Sequence, residues 1–160
     1  RPGGIPPCAP GCCGRRGWRL DMEDKERTIR RWFEMWLRQS DEGAEELFDR
    51  DAVYIESWGP EYHGLDKIRH WFQEWNTRGV VLRWDIRQFF HRGDQSVVEW
   101  IFENRMENGK PEAFEGMSLI RWTAEGKILS LQEFGCNQDR YDPYETGPEP
   151  RFRDGPALWF

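Results

Sequence analysis

The chain has 160 residues and a formal net charge of -6 at pH 7, a length that suits one domain with its own hydrophobic core. Its basic residues form no stripe with interleaved aromatics, which argues against nucleic acid as a partner. No apolar run approaches the roughly 18–20 residues of a membrane span. We therefore expect a soluble, cytoplasmic protein.

The N-terminal segment, RPGGIPPCAPGCCGRRGWRLD, is rich in Pro and Gly and holds Cys8, Cys12 and Cys13. This composition is typical of disorder. Three cysteines could instead bind a metal, but no second ligand pair at zinc spacing and no His lie nearby. We expect a disordered extension over residues 1–21, a domain over 22–138 and a C-terminal tail over 139–160, with no metal and no cofactor.

Three helices are predicted in the first half of the chain. Apolar residues recur at helical spacing from about residue 23 to 39 and from about 65 to 77. Between these two helices, Ser40 or Asp41 can cap a short one with Ala44 and Leu47 on its apolar face. The first of these helices carries Trp32.

Strands follow the helices. The stretch DAVYIESWGPEYHG begins with a strand, and after Gly79 the apolar period changes to two, which predicts strands near 80–91, 96–107, 110–122 and 127–136. Asn108-Gly109 is a strong signal for a two-residue hairpin turn. Helices followed by antiparallel strands indicate an α+β fold, with one curved, mostly antiparallel sheet and the helices on a single face.

Glu56 stands in the middle of the first predicted strand, between Tyr54 and Trp58, where both strand faces carry large apolar groups. Burying an ionised carboxylate without partners costs several kcal/mol. Such a residue is usually either paired or used in chemistry. We interpret Glu56 as a general base or acid and expect its pKa to be raised.

Two stretches, LFDRDAVYIESWGPEYHG and NGKPEAFEGMSLIRWTAEGKI, resemble the nuclear transport factor 2-like superfamily, including its SnoaL-like and ketosteroid isomerase branches. The resemblance spans roughly residues 24–137. It implies a cone-shaped domain with three N-terminal helices on the concave face of the sheet. Superfamily members include isomerases, hydrolases, cyclases, dehydratases and binding proteins, so fold alone does not fix activity.

The resemblance also assigns positions in the site. Glu56 stands where ketosteroid isomerases carry the carboxylate that moves the proton, while Trp32 and Ser118 stand where they carry a Tyr and a protonated Asp as donors to the enolate. The base is therefore kept and the oxyanion hole is altered, which makes steroid isomerisation doubtful.

The predicted hairpin decides which residues share the pocket. A turn at Asn108-Gly109 pairs residue 99 with residue 118, which places Glu99, Phe114 and Ser118 on the concave face, and the last strand adds Glu133. Ion pairs with nearby Arg side chains are the structural alternative for Glu99 and Glu133. The opposite face is too apolar for water and predicts a homodimer interface. It would carry Val98, Trp100, Phe102, Met117 and Leu119.

We therefore predict a SnoaL-like small-molecule pocket protein. If it is an enzyme, Glu56 acts on an apolar, ring-shaped substrate and Ser118 orients a substrate oxygen. The walls and neighbours of this site would be Trp32, Tyr54, Trp58, Glu99, Phe114 and Glu133. The alternative is a non-catalytic ligand-binding or dimeric interaction module of the same fold.

Overall fold

The computed structural model describes residues 15–153, with side chains from residue 22 onward. The helices are α1 (Arg15–Arg38), α2 (Ala44–Leu47) and α3 (Leu65–Asn76). The strands are β1 (Phe48–Ile55), β2 (Glu61–His63), β3 (Gly79–Arg92), β4 (Gln95–Met106), β5 (Glu112–Trp122) and β6 (Ile128–Asn137). The predicted α+β class is confirmed.

All six strands form one sheet in the order β2-β1-β6-β5-β4-β3. Only the β1–β6 pair is parallel within the described residues, so the sheet is mostly antiparallel as predicted. The short edge strand β2 was read as part of a turn from the sequence. Because β1 ends at Ile55, Glu56 follows the strand and does not stand in its middle.

The ends of the chain differ from the sequence interpretation in one respect. Helix α1 begins at Arg15, earlier than its apolar periodicity predicts and inside the segment expected to be disordered. Residues 1–14, with the cysteine cluster, and residues 154–160 lie outside the described residues. Residues 138–153 contain no helix or strand. Arg140 in this segment is ion-paired with Glu115 of β5.

The hydrophobic core lies between the helices and one face of the sheet. From the helices, Ile29, Phe33 and Phe72 are at most 2 % exposed. They belong to one cluster with Val98, Trp100 and other strand residues. Each fully buried side chain of this size stabilises the fold by about 1.5–3 kcal/mol. We call the sheet face that bears Trp100 the inner face.

The register of the β4–β5 hairpin is one residue away from the predicted one. Asn104 pairs with Glu112, and Val98 pairs with Ser118. The turn is centred on Glu107-Asn108. It is closed by the Gly109 N–H, which donates to the Met106 carbonyl at 2.9 Å. A one-residue slip moves every side chain of a strand to the other face relative to its partner. The predicted pairing of residue 99 with residue 118 is therefore wrong.

This shift corrects two predictions about faces. Trp100 and Phe102 share the inner face with Ser118 and Phe114, so they cannot form the predicted dimer interface. Glu99 lies on the other face of the sheet, the outer face.

On the outer face, Glu99 has structural partners. The Gln88 side-chain amide donates to Glu99 at 2.5 Å, and Arg87 lies 3.3 Å from the same carboxylate. Glu99 is thus part of a structural network with Arg87 and Gln88, which is the alternative to a role in the pocket. Of the predicted interface residues, Met117 and Leu119 remain on this face, and Met117 is 49 % exposed. None of the described helices is long and apolar enough to cross a membrane.

Candidate active site

A cavity of about 170 Å³ lies between the helices and the inner face of the sheet. A cavity of about 150 Å³ holds one benzene molecule, whereas pockets for drug-sized ligands have roughly 300–1,000 Å³. The space therefore suits one six-membered ring or a group of similar size. Its lining residues are Trp36, Glu56, Ser57, Trp58, Trp71, Trp75, Trp84, Trp100, Phe102, Asn104, Phe114 and Glu133.

Helix and strand periodicity bring the aromatic residues of this lining together. Trp71 and Trp75 are four residues apart on α3 and therefore share one helix face. Trp100 and Phe102 alternate with outward-facing residues on β4, so both point to the inner face. The aromatic residues form the cavity walls because their spacing in the sequence matches the period of the helix or strand that carries them.

Two residues of β5 hold the Trp100 indole in place. Its Nε1–H donates to the Ser118 hydroxyl at 2.9 Å, inside the core. Gly116 lies opposite Trp100, and a Cβ at this position would come within 2.6 Å of the indole Cη2. Ser118 therefore fixes the orientation of the ring, and Gly116 leaves the room that the ring occupies.

Three pairs of neighbouring rings in this lining meet nearly at right angles. The planes of Trp84 and Trp100 are inclined by 83°, with centroids 6.0 Å apart, and those of Trp36 and Trp75 by 81°, with centroids 5.3 Å apart. Phe102 makes an angle of 80° with Trp84. Edge-to-face packing of this kind is favourable for aromatic quadrupoles. The rings of these pairs therefore surround the cavity instead of stacking face to face.

Glu133 of β6 is the innermost titratable group of the cavity. The Tyr54 hydroxyl, fully buried behind it, donates a short hydrogen bond to Glu133 Oε1. Burial raises the pKa of Glu133 to about 7, and repulsion from Glu56 adds to this, although the hydrogen bond from Tyr54 opposes it. Burial also raises the pKa of Tyr54 well above its usual value. At neutral pH, a neutral phenol therefore supports a carboxyl group that is about half ionised.

Glu56 lies at the cavity beside the exposed Trp58. It accepts hydrogen bonds from the Tyr62 hydroxyl at 2.6 Å and from Trp58 Nε1 at 3.0 Å. Burial, followed by the bond to Glu56, raises the pKa of Tyr62, so this donor too is neutral. Among the residues that the structure describes, no Lys, Arg or His side chain forms an ion pair with Glu56 or Glu133.

The structure brings only part of the predicted site together. Glu56, Trp58, Phe114 and Glu133 line the cavity, and Tyr54 contacts it through Glu133. The remaining three predicted residues, Trp32, Ser118 and Glu99, do not line the cavity.

Trp32 is in the core, with its ring 6.0 Å from that of Tyr54, and it does not line the cavity. Ser118 is buried behind Trp100, so its hydroxyl is not placed to orient a substrate oxygen. Glu99 faces away, on the outer face. Trp32 and Ser118 therefore support the walls of the cavity instead of forming them.

Sequence reasoning missed most of the aromatic walls. Their signal was present, since Trp36 follows Trp32 at helical spacing and Trp71 and Trp75 share a helix face. The same spacing is typical of an ordinary core, and the predicted hairpin register places Trp100 and Phe102 on the wrong face. Within residues 22–153, whose side chains the structure describes, no three His, Cys, Asp or Glu side chains come close enough to hold a metal ion.

Comparison with known proteins gives a family and a fold. Residues 29–131 match the model of the SnoaL-like domain family. A search of curated protein sequences found no match to this chain.

Three solved structures share the fold. A hypothetical protein with a ketosteroid isomerase-like fold from Catenulispora acidiphila, in complex with trimethylamine, has 20 % identity and a TM-score of 0.61, over 69 % of this chain and 85 % of that one. An LEH-like epoxide hydrolase of M. tuberculosis has 10 % identity and a TM-score of 0.63, over 71 % and 84 %. A candidate SnoaL-like polyketide cyclase from Jannaschia sp. CCS1 has 14 % identity and a TM-score of 0.58, over 71 % and 85 %.

Proposed function

The chain belongs to the SnoaL-like domain family, and within it we propose a small-molecule enzyme whose cavity carboxyl, Glu133, moves a proton on the bound substrate. The observation that carries this proposal is the raised pKa of Glu133, about 7, at the wall of an apolar cavity. General acid–base catalysis is most effective when the pKa lies near the working pH. A carboxyl group with this pKa supplies both forms at neutral pH.

In this mechanism, the ionised Glu133 takes a proton from a substrate carbon or oxygen and returns it at another position. The neutral Tyr54 hydroxyl keeps the carboxylate oriented through its hydrogen bond. Glu56, the residue favoured by the sequence, acts as a second carboxylate whose negative charge helps to keep the pKa of Glu133 high. The proton-transfer role thus moves from Glu56 to Glu133.

Isomerisation, cyclisation, dehydration and hydrolysis all include such a proton transfer. The structural relatives include an epoxide hydrolase and a candidate polyketide cyclase, whose reactions lie within this range, and the relative in complex with trimethylamine supports a small ligand. Three buried polar atoms of lining residues, Trp36 Nε1, Trp84 Nε1 and Asn104 Oδ1, have no partner among the described residues. Such atoms usually meet water or a ligand. We propose that the cavity is enclosed by the expected cone-shaped domain, with the three helices packed against the concave face of the sheet.

A generic proton-abstraction probe tests the catalytic role without knowledge of the substrate. The base-promoted ring opening of 5-nitrobenzisoxazole is followed by its absorbance with the wild type, Glu133→Gln and the exposed turn variant Glu125→Gln. We expect the wild-type rate to rise with pH with an apparent pKa near 7, and to fall by about tenfold or more in Glu133→Gln only. Equal rates in the wild type and Glu133→Gln would contradict the proposal.

Ligand binding without chemistry is the second candidate function. It is favoured by Ser118, the expected orienting hydroxyl, which is engaged by Trp100 inside the core. Native mass spectrometry of the purified protein tests binding alone. A retained small molecule that the protein leaves unchanged, together with no Glu133-dependent proton abstraction, would favour this candidate.

We also propose that the outer face is a homodimer interface, with a corrected set of residues. Met117, Phe134 and Phe90 are 49 %, 50 % and 52 % exposed, and Leu119 lies between them on the same face. Monomers rarely expose contiguous apolar patches of this kind. A second copy of the same face would cover the patch through a two-fold axis.

A further inference from the structure

The charges of the cavity are unbalanced. Its lining contains two carboxyl groups, Glu56 and Glu133, and no Lys, Arg or His. The hydrogen-bond donors to these carboxylates are all neutral: the hydroxyls of Tyr54 and Tyr62, the indole N–H of Trp58 and the backbone N–H of Ser57. The negative charge of the site therefore has no counter-charge within the described protein.

The walls around this charge are aromatic on nearly every side. Six tryptophans and two phenylalanines are among the lining residues, and three pairs of adjacent rings stand at 80–83° to one another. The face of an aromatic ring carries partial negative charge and attracts cations, tryptophan most strongly. Rings that meet at right angles form an aromatic cage around one small group.

From these two observations, and resting on the proposed small-molecule function, we propose that the group bound in the cage is a small organic cation, an alkylated ammonium. Alkyl groups on the nitrogen suit the aromatic part of the lining, because rings cannot accept the strong hydrogen bonds that a primary ammonium loses on leaving water. The cavity of about 170 Å³ has room for one such group. The sequence-based expectation of an apolar, ring-shaped substrate is the alternative.

Binding of a cation has a consequence for Glu133. The groups that face its carboxyl are Tyr54 from β1 and Glu56 after β1, with Tyr62 of β2 bonded to Glu56. None of them is cationic, so the bound ammonium would be the first positive charge close to Glu133. It favours the ionised form, and binding near neutral pH therefore releases a proton.

Two probes of nearly equal shape separate charge from apolar contact. Choline carries a trimethylammonium group, and 3,3-dimethylbutan-1-ol is its uncharged carbon isostere. Isothermal titration calorimetry of the full chain with each probe should show choline binding roughly tenfold or more tightly. Between about pH 6 and about pH 8, the affinity for choline should rise by up to about tenfold as Glu133 ionises, while the affinity for the isostere should not.

Three variants decide the origin of this preference. Glu133→Gln should abolish the pH dependence and reduce the preference for choline, whereas Glu125→Gln, at an exposed turn, should change neither. Trp75→Leu keeps an apolar wall but removes a ring face, so it should weaken choline binding more than binding of the isostere.

Equal affinities for the two probes would overturn the inference, and so would failure of choline to bind, or choline binding that is unchanged in Glu133→Gln. Tight, equal binding of both probes would leave the small-molecule pocket standing and refute only the charge of its ligand. The proton-transfer proposal is judged separately by the 5-nitrobenzisoxazole rates, so the two can fail independently.

Discussion

Replacement of Glu133 by Gln should stabilise the protein above neutral pH. The pKa of this carboxyl is about 7 in the fold against 4.5 for a free Glu, so the folded state binds more protons than the unfolded state between these values. The wild type therefore loses stability as pH rises through this window, relative to a variant that cannot ionise. At about 1.36 kcal/mol for each pKa unit, the gap between these two pKa values corresponds to at most about 3.5 kcal/mol, and water at the cavity reduces this difference.

Urea denaturation of the two proteins across the window measures this difference. Gln can still accept the hydrogen bond from Tyr54, so the substitution keeps the geometry. We expect the gain in unfolding free energy to be largest at about pH 8 and to fade towards about pH 4.5, while Glu125→Gln shows no such trend. A Glu133→Gln protein that is destabilised at about pH 8, or a difference that does not depend on pH, would refute the reasoning.

Three further predictions concern the supports of the cavity and the outer face. Gly116→Ala should cost about 1–3 kcal/mol, because the new methyl group overlaps Trp100 and a backbone carbonyl, whereas Gly109→Ala, whose Cβ meets only ordinary contacts, should be nearly neutral in the same thermal denaturation. Ser118→Ala leaves the buried Trp100 N–H without its acceptor and should cost about 1–3 kcal/mol, and retention of wild-type stability would show that another acceptor takes over. Met117→Glu should convert a dimer to a monomer in sedimentation velocity, and a wild type that is already monomeric at micromolar concentration would remove the dimer proposal.

Much of the fold could be predicted from local patterns. The spacing of Ile29, Trp32, Phe33 and Trp36 predicts α1, and the change to period two after Gly79 predicts the antiparallel strands. These patterns succeed because burial of an apolar face fixes the period of each element.

The register of one hairpin could not be predicted in this way. Asn108-Gly109 favours a two-residue turn, yet the chain turns one position earlier, with the Gly109 N–H donating to the Met106 carbonyl. That single shift placed Trp100 on the wrong face and Glu99 in the wrong environment. Turn chemistry alone was too weak a signal to choose between two adjacent registers.

The sequence predicts several residues that line the cavity, but it does not predict the role of each residue. Glu56, Phe114 and Glu133 line the cavity as expected. A raised pKa is found at Glu133, where burial next to Tyr54 depends on how β1 and β6 pair. No residue pattern near Glu133 reveals this, since its partners are distant in sequence.

The central claim, that Glu133 is a cavity carboxyl that titrates near neutrality, can be tested directly. Carbon-13 NMR of the protein with labelled glutamate side chains follows each carboxyl resonance with pH, and Glu133→Gln identifies the signal of residue 133. We predict a midpoint near pH 7 for this signal. A midpoint close to the 4.5 of a free Glu would contradict the account, because a carboxylate that is fully ionised at neutral pH is a poor proton donor.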